Sequence, residues 1–572
     1  MTGTSARDNK SCVDILKLLV FCYLYIPVII FCITWFKPLI AVIACIGAVV
    51  GTGLYLARSK TVLRKPVKRE WVFAAASLII ILIWCALSGF GGYVLQSGDF
   101  PKHNVILRDI MVNKAPVTYD FDGREGTLSY YIAGYIVPAL AGHFFSDSFD
   151  VAQDTLLIWN AVGIFLAVLL LYRNIGHKKG ASLIIITLTL ILFATFVCPL
   201  SGIFKNLYPD EAGDGIHWLS NVIWIQYSSD IMLLAYVFPQ MISGLLGVSL
   251  LKETGNDYGK WGLILAPLVM YSAFVFLGMA ILMLTVFVAD LLSDEGERKG
   301  RAHVKETLKS VFSLCNLCSL VFAAVLILYL MGNILQEKPS GVAMGIERIY
   351  YGGYYHTLIF FELSWLLWIL LLLKREKENR LLFAAAFNLL IYPFFKMGYY
   401  NDLCMRASIP ALLVISVTVA ENIIISVFGE DIEKGGNRQK SEDAEIGQNA
   451  ENMQSAENTQ NAENGKSAEK IQDAENMRDE ENAVSTENAE KPGKDLKKGR
   501  DLWYAALLTV CLLISAAGPL GEIRYYFTGR SKDTRNYFEP YASSSEFFLS
   551  HDFVEYQYID WDPDSISKKI LK

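Results

Sequence analysis

An acid, a lysine, a histidine and an arginine follow a long apolar run in the stretch SGDFPKHNVILRD, as Asp99, Lys102, His103 and Arg108. A carboxylate at the end of a membrane helix suits general-base chemistry, because partial burial raises its pKa and the helix fixes its position. Lysine and arginine nearby suit a phosphate or pyrophosphate, whose negative charge they offset. The order indicates a reaction site, a transport site or a solvated connection.

Further charges are predicted on the same outer face of the membrane. The second outer loop supplies Asp210, Glu211, Asp214 and His217, and a later one supplies Asp402 and Arg406. Their acids could hold a divalent cation through oxygen ligands, although their spacing matches no metal motif. Each also has a plain structural alternative, such as a helix cap, a solvated histidine or a lipid-headgroup anchor. Glu362 lies within a predicted span, where it either pairs with a basic residue or serves transport.

Composition decides the class of protein that must position these residues. The chain has 572 residues, of which 53% are hydrophobic, and a mean hydropathy of +0.35. Apolar runs of about 18 residues or more, each able to cross a bilayer core, recur along it. We therefore predict an all-α polytopic membrane protein. The cysteines are scattered through apolar runs, so no disulfide framework is expected.

Lysine and arginine should collect in short cytoplasmic loops, which sets the topology. Four basic loops, 58–69, 173–179, 298–309 and 374–380, share one side only if even numbers of helices separate them. The stretch 128–145 is then an interfacial or re-entrant helix on the outer side. About thirteen spans follow, with the N-terminus cytoplasmic and the C-terminus outside. They are 15–36, 38–57, 71–92, 155–172, 181–200, 231–251, 261–272, 274–291, 309–331, 355–373, 381–397, 409–428 and 502–519.

The chain divides into four predicted parts. An N-terminal two-helix hairpin with a basic loop (1–70) precedes a membrane core (71–429) with outer loops 93–155 and 201–230. Residues 430–501 repeat Ala-Glu every six residues with few large apolar side chains, which is typical of a disordered cytoplasmic linker. Residues 502–572 form the last span and an outer tail.

The first outer loop resembles that of the GT-C glycosyltransferases, the superfamily of protein mannosyltransferases and aminoarabinose transferases. The resemblance runs from Asp99 through Val105–Met111 and Pro116–Gly123 (PVTYDFDG) to Leu128-Ser129-Tyr130-Tyr131. It covers roughly residues 71–179, and it implies a GT-C-like fold with an interfacial helix in this loop. It also implies transfer of a sugar from a polyprenyl-phosphate donor to a cell-envelope glycan or lipid acceptor, and no nucleic-acid partner.

On this hypothesis Asp99 deprotonates the acceptor, and Lys102, Arg108 or Arg406 stabilises the departing phosphate. An acceptor or cation site would comprise His103, Asp210, Glu211, Asp214, His217 and Asp402. The expected location is the plasma membrane. Two other classes stay open: a multi-pass transporter or flippase, and a polymerase, ligase or assembly protein of the envelope.

Overall fold

The computed structural model describes most of the chain outside residues 429–492. The described residues are 11–58, 60–62, 68–121, 123–175, 179–216, 218–223, 225–292, 307–336, 346–397, 401–428, 493–529, 535, 537, 547–548 and 558–572. Internal contacts divide the chain into one unit of Met1–Asn422 with Leu508–Lys572 and another of Ile423–Leu507. Residues 430–492 of the predicted linker lie outside the described residues. Its remaining part, from Gly493, belongs to a helix.

Helices account for nearly all the regular structure. They are α1 (Ile15–Trp35), α2 (Pro38–Arg58), α3 (Lys68–Leu87), α4 (Phe100–Val112), α5 (Ala133–Phe144), α6 (Phe149–Asn174), α7 (Ala181–Leu192), α8 (Val197–Leu207), α9 (Asp230–Thr254), α10 (Trp261–Leu268), α11 (Ala273–Leu292), α12 (Leu314–Leu335), α13 (Tyr355–Leu372), α14 (Arg380–Ile391), α15 (Asp402–Ala407), α16 (Ile409–Phe428), α17 (Gly493–Thr528) and α18 (Ile566–Ile570).

Within the described ranges, seven short strands form three small antiparallel sheets. The strands are β1 (Ser11–Val13), β2 (Lys60–Val62), β3 (Thr118–Phe121), β4 (Arg124–Leu128), β5 (Glu347–Arg348), β6 (Phe395–Lys396) and β7 (Ile559–Asp560). β1 pairs with β2, β5 pairs with β6, and β3, β4 and β7 form a three-stranded sheet. The last sheet joins the first outer loop to the end of the chain.

Eleven helical segments in the described part of the chain are long and apolar enough to cross a membrane. An all-α polytopic membrane protein is therefore what the structure shows. Two of the thirteen predicted spans, 261–272 and 381–397, instead contain helices of 8 and 12 residues. At about 1.5 Å per residue these rise roughly 12 and 18 Å, less than a bilayer core of about 30 Å. The stretch 128–145 likewise contains only α5, of 12 residues.

The ends of α1 mark the two ends of the helix bundle. Asp14, just before α1, contacts Arg173 at the end of α6, and Arg173 also contacts Glu253 near the end of α9. We call this the Arg173 end. At the other end of α1, which we call the Asp99 end, the backbone N–H of Lys572 donates to the Trp35 carbonyl over 2.9 Å. Residues 11–13 and Lys572 thus lie at opposite ends of α1, as an odd number of crossings requires.

A kink in α9 anchors the first outer loop. Pro239 has no N–H to donate to the Ala235 carbonyl, and Val237 is non-helical at φ −137° and ψ 46°. The Ser97 hydroxyl donates to the Ala235 carbonyl over 2.7 Å. His103 Nε2 bonds the neighbouring Tyr236 carbonyl over 2.8 Å. The loop therefore docks onto carbonyls at the helix break.

Candidate active site at the Asp99 end

Asp99 stands immediately before α4, where Pro101 is tolerated in the first turn. Its backbone is in the right-handed helical region (φ −85°, ψ −14°) rather than the extended conformation usual for a helix cap, and its side chain accepts no capping hydrogen bond. The carboxylate instead contacts Lys102 Nζ at 3.0 Å, three residues along the helix. The Asp99 side chain is 35% exposed, and that of Lys102 is 9% exposed. The carboxylate is therefore accessible to a ligand.

The pKa of Asp99 departs from the expected direction. Desolvation by the surrounding protein would raise it, but the positive charge of Lys102, the neighbouring His103 and the positive charge of Arg406 together hold the pKa below its usual value. Burial alone predicted a raised pKa, and that expectation is wrong because two cations face the carboxylate. Asp99 is consequently ionised at neutral pH.

His103 is committed to the protein on both sides of its ring. Its Nδ1 lies 2.6 Å from the Tyr135 hydroxyl, while its Nε2 lies 2.8 Å from the Tyr236 carbonyl. A carbonyl can only accept, so Nε2 carries the proton and Nδ1 accepts from Tyr135. Burial first, and then the charge of Lys102, lower the pKa of His103 to about 3. His103 therefore fixes α4 to the kink in α9 as a neutral ring.

Arg406 belongs to the same site, although it follows Asp99 by about 300 residues in the sequence. Asn401 adopts a left-handed conformation (φ 55°) and caps α15 by accepting from the Cys404 N–H, which starts the helix that carries Arg406. Arg406 Nη1 donates to the Tyr131 hydroxyl over 3.0 Å, and Gln240 Nε2 donates to the same hydroxyl over 2.9 Å. Tyr131 thus links the first loop to α9 and α15.

The Arg406 guanidinium keeps one donor unused. Its Nε lies 3.0 Å from Asp402 Oδ1, in ion-pair contact, but the N–H does not point at that oxygen and has no hydrogen-bond partner within the described residues. A buried donor without a partner costs free energy unless a ligand or water satisfies it. Arg406 is therefore suited to receive an anion.

Arg108 stands apart from Asp99. Nine residues at about 100° each place it roughly 180° round α4 from Asp99. Its Nε lies 3.8 Å from Asp109, which accepts a 2.9 Å hydrogen bond from the Tyr119 hydroxyl. Of the three cations predicted to bind phosphate, Lys102 and Arg406 act on Asp99 and Arg108 lies on the other face of its helix.

The second outer loop uses its acids within the protein. Glu211 pairs with His356 at 2.7 Å, and that ring stacks on Tyr208. Asp214 accepts from the backbone N–H groups of Ile216 and Trp218 and so closes a turn. Asp210 is exposed, and His217 lies outside the described residues. Asp402 faces Arg406, so it belongs with the Asp99 site rather than with this loop.

Within the described residues, neither a metal-binding cluster nor the groove lined by β3 and β4 coincides with the Asp99 site. In the part of the chain that the structure describes, no three His, Cys, Asp or Glu side chains lie close enough to hold a metal ion. A groove of about 700 Å³ is lined by β3, β4 and the C-terminal residues, among them Arg124, Trp561 and Lys568, but not Asp99.

Three side chains of the site were not assigned a role from the sequence. Tyr131 lies in the Leu-Ser-Tyr-Tyr motif quoted above, and the hydroxyl groups of that motif are a signal that could have identified it. Gln240 is an amide beside a proline within an apolar run, and a polar residue in a span is itself a signal. Tyr558, whose pKa responds to the charges of both Arg406 and Asp99, carried no signal in the sequence.

Comparison with known proteins adds no relative. No protein-family model, curated protein or solved structure matches the chain.

Proposed function

We propose that the protein is an integral membrane glycosyltransferase that moves a sugar from a polyprenyl-phosphate donor to a cell-envelope acceptor. The supporting observation is the meeting of an accessible carboxylate, Asp99, with two cations from separate parts of the chain, Lys102 and Arg406. A base beside an anion-binding site is what transfer from a phosphate-linked sugar requires. A lipid donor also accounts for a site carried by a multi-pass bundle.

The reaction follows from these three groups. Asp99 accepts the proton of the acceptor hydroxyl while that oxygen bonds to the anomeric carbon from the face opposite the phosphate. The anomeric carbon–oxygen bond to phosphate breaks, and the phosphate leaves with the electron pair. Lys102 and Arg406 offset its growing charge. The configuration at the anomeric carbon is inverted, and Asp99 later releases the proton to water.

Donor binding would also adjust the base. A phosphate beside Lys102 and Arg406 adds negative charge near Asp99 and draws those cations away from it, both of which raise the pKa of that carboxyl. Asp99 is then a stronger base when the donor is present than when the site is empty. This order favours transfer to the acceptor only after the donor has bound.

We place the Asp99 end outside the plasma membrane and the Arg173 end in the cytoplasm. Support comes from the basic loops 58–69, 173–179 and 374–380, which adjoin helix ends at the Arg173 end.

The test is a comparison of surface glycans and polyprenyl-linked sugars by mass spectrometry in cells that lack the protein. These cells are re-supplied with wild type or with Asp99→Asn. We expect a missing sugar that only wild type restores, with its lipid donor accumulating in the other two strains. Equal glycans in all three strains would reject the proposal. A product that gains many sugars rather than one would identify a polymerase.

A transporter is the second candidate because of Glu362. This carboxylate lies within the span formed by α13, where one oxygen accepts from Trp365 Nε1 over 2.7 Å and the other has no hydrogen-bond partner among the described residues. Unpaired acids inside membrane spans often mark transport pathways. Substrate uptake into proteoliposomes that is abolished by Glu362→Gln and unaffected by Asp99→Asn would favour this class.

A further inference from the structure

The end of the chain folds back onto the first outer loop. Strand β7 pairs with β4 in antiparallel register, with Thr127 opposite Asp560 and Leu128 opposite Ile559. The same β4 leads directly into Tyr130 and Tyr131. Strand β7 follows Tyr131 by more than 400 residues in the sequence. It is nevertheless hydrogen-bonded to the strand that leads into Tyr131, the tyrosine that binds Arg406.

Strand β7 is held firmly by its own surroundings. The buried Asp560 carboxylate accepts from the Ser565 hydroxyl over 2.5 Å and from the hydroxyl of Ser567. Gln336 of α12 donates to the Ile559 carbonyl over 2.8 Å and accepts from the Trp561 N–H over 2.9 Å. The position of the preceding residue, Tyr558, is therefore set by fixed hydrogen bonds on both sides of the strand.

Tyr558 is inserted into the tyrosine cluster of the site. Its carbonyl accepts from the Ser129 N–H over 2.8 Å, and its ring centre lies 4.7 Å from that of Tyr130. The Tyr130 ring lies 3.9 Å from that of Tyr131, whose hydroxyl binds Arg406. Tyr558 is 6% exposed, so the ring belongs to the interior of this end of the bundle.

The Tyr558 hydroxyl is the part of this side chain that packing does not explain. It makes no hydrogen bond within the described part of the chain, whereas the hydroxyl of Tyr131 is bound twice. Burial raises the pKa of Tyr558, the positive charge of Arg406 lowers it, and the negative charge of Asp99 raises it. The phenol therefore lies within the electrostatic field of both groups and stays protonated as a donor.

We propose that Tyr558 is a substrate-binding residue of the Asp99 site, whose hydroxyl donates to the phosphate of the lipid-linked donor beside Arg406. This inference rests on the proposed function. It assigns the C-terminal segment a direct part in the site, because strand pairing with β4 delivers a neutral donor to a place where two cations already meet. A neutral donor adds a hydrogen bond to the phosphate without lowering the pKa of Asp99 further.

The experiment measures binding of a polyprenyl phosphate, the sugar-free product, to purified protein in nanodiscs of neutral lipid. Four proteins are compared: wild type, Tyr558→Phe, Tyr558→His and the control Tyr351→Phe. Tyr351 is also a buried tyrosine, but its hydroxyl donates to the Pro393 carbonyl. Phenylalanine keeps the ring and loses the donor, whereas histidine fits the aromatic cluster less well and keeps an N–H donor.

We expect Tyr558→Phe to bind polyprenyl phosphate about tenfold more weakly than wild type, since a hydrogen bond to a charged group is lost. Tyr351→Phe should bind as wild type does, and Tyr558→His should bind more tightly than Tyr558→Phe. If packing alone mattered, phenylalanine would be the better replacement and this order would reverse. Wild-type affinity in Tyr558→Phe would overturn the inference while leaving the proposed function intact. A wild-type protein that does not bind polyprenyl phosphate would overturn both.

Discussion

Charged side chains gather at both ends of the helix bundle, but they are connected in different ways. At the Arg173 end one guanidinium contacts Asp14 at 2.7 Å and Glu253 at 2.9 Å, and Lys17 also contacts Glu253 at 3.1 Å. These contacts join three helices, α1, α6 and α9. The Asp14 side chain is only 6% exposed, so this acid is closed to solvent.

At the Asp99 end the ion pairs lie within single helices. Asp99 pairs with Lys102 three residues on, and Asp402 pairs with Arg406 four residues on. Such local pairs stabilise a helix by only about 0.2–0.5 kcal/mol. A ligand can therefore exchange them at little cost to the fold. The difference teaches that pairing across helices marks a structural network, whereas pairs confined to neighbouring residues of one helix leave their charges open to exchange with a ligand.

The largest expected effect is the loss of transfer in Asp99→Asn. Asparagine keeps the size and cannot accept the proton, so kcat should fall by about 10²–10⁴. Thermal unfolding should change little, because the lost pair is local. The measurement is transfer from a purified polyprenyl-linked sugar, with unfolding followed in the same preparation. Full activity in a normally folded Asp99→Asn protein would mean that the Asp99 end is not the reaction site, so the two ends would no longer differ in function.

The same substitution at the other end should have the opposite result. Asp14→Asn keeps a side chain that can cap α1 but leaves Arg173 with one acid fewer, which should lower the free energy of unfolding by about 1–3 kcal/mol. The kcat of the folded protein should match wild type. Thermal unfolding in detergent and transfer per folded molecule would show this. A fall in kcat without a fall in stability would mean that the Arg173 end takes part in the reaction.

The pH dependence of transfer should show whether the nearby cations or burial dominates the pKa of Asp99. The pKa of Asp99 lies below its usual value in the ligand-free protein, so kcat/KM should not fall through protonation of this base until the pH is below the usual range of an aspartate. Lys102→Met removes a cation and leaves the desolvation, so the acid limb should move to higher pH. Lys260→Met is the matched control, because Lys260 also pairs with an acid three residues away, Asp257. An acid limb that stays in place in Lys102→Met would contradict the assignment.

The smallest effect is expected in the second outer loop. Glu211 and His356 are each about one-fifth exposed, and pairs of this kind contribute roughly 0–1 kcal/mol. Glu211→Gln should therefore lower stability slightly and leave the KM for the acceptor unchanged. A raised acceptor KM at unchanged stability would restore this loop to the acceptor site that the sequence predicted.

The sequence predicted those features that depend on local pattern. Long apolar runs predicted the membrane helices, and the distribution of basic loops separated the stretch 128–145 from the spans. The ion pair between Asp99 and Lys102 was not among these predictions, although the two residues lie three apart at the start of a helix. Within two predicted spans, 261–272 and 381–397, the helices α10 and α14 are shorter than the predicted stretch, because hydropathy alone does not show where a helix ends.

Features that depend on contacts between distant segments could not be predicted. The direction in which the pKa of Asp99 shifts depends in part on Arg406, which lies about 300 residues away in the sequence. The role of His103 depends on carbonyls at the break in α9, and a proline in a span does not say which side chain will bind there. Tyr558 is one aromatic residue in a tail with many.

The pairing of β7 with β4 also has a consequence for biosynthesis. The first outer loop leaves the ribosome early, but its partners Tyr236, Arg406 and Tyr558 are made later, and the last of them follows more than 400 residues after the loop. Membrane insertion can proceed helix by helix, whereas the geometry around Asp99 can be completed only after β7 has been made and has paired with β4. On the proposed function, a nascent chain is therefore inactive until β7 has paired with β4.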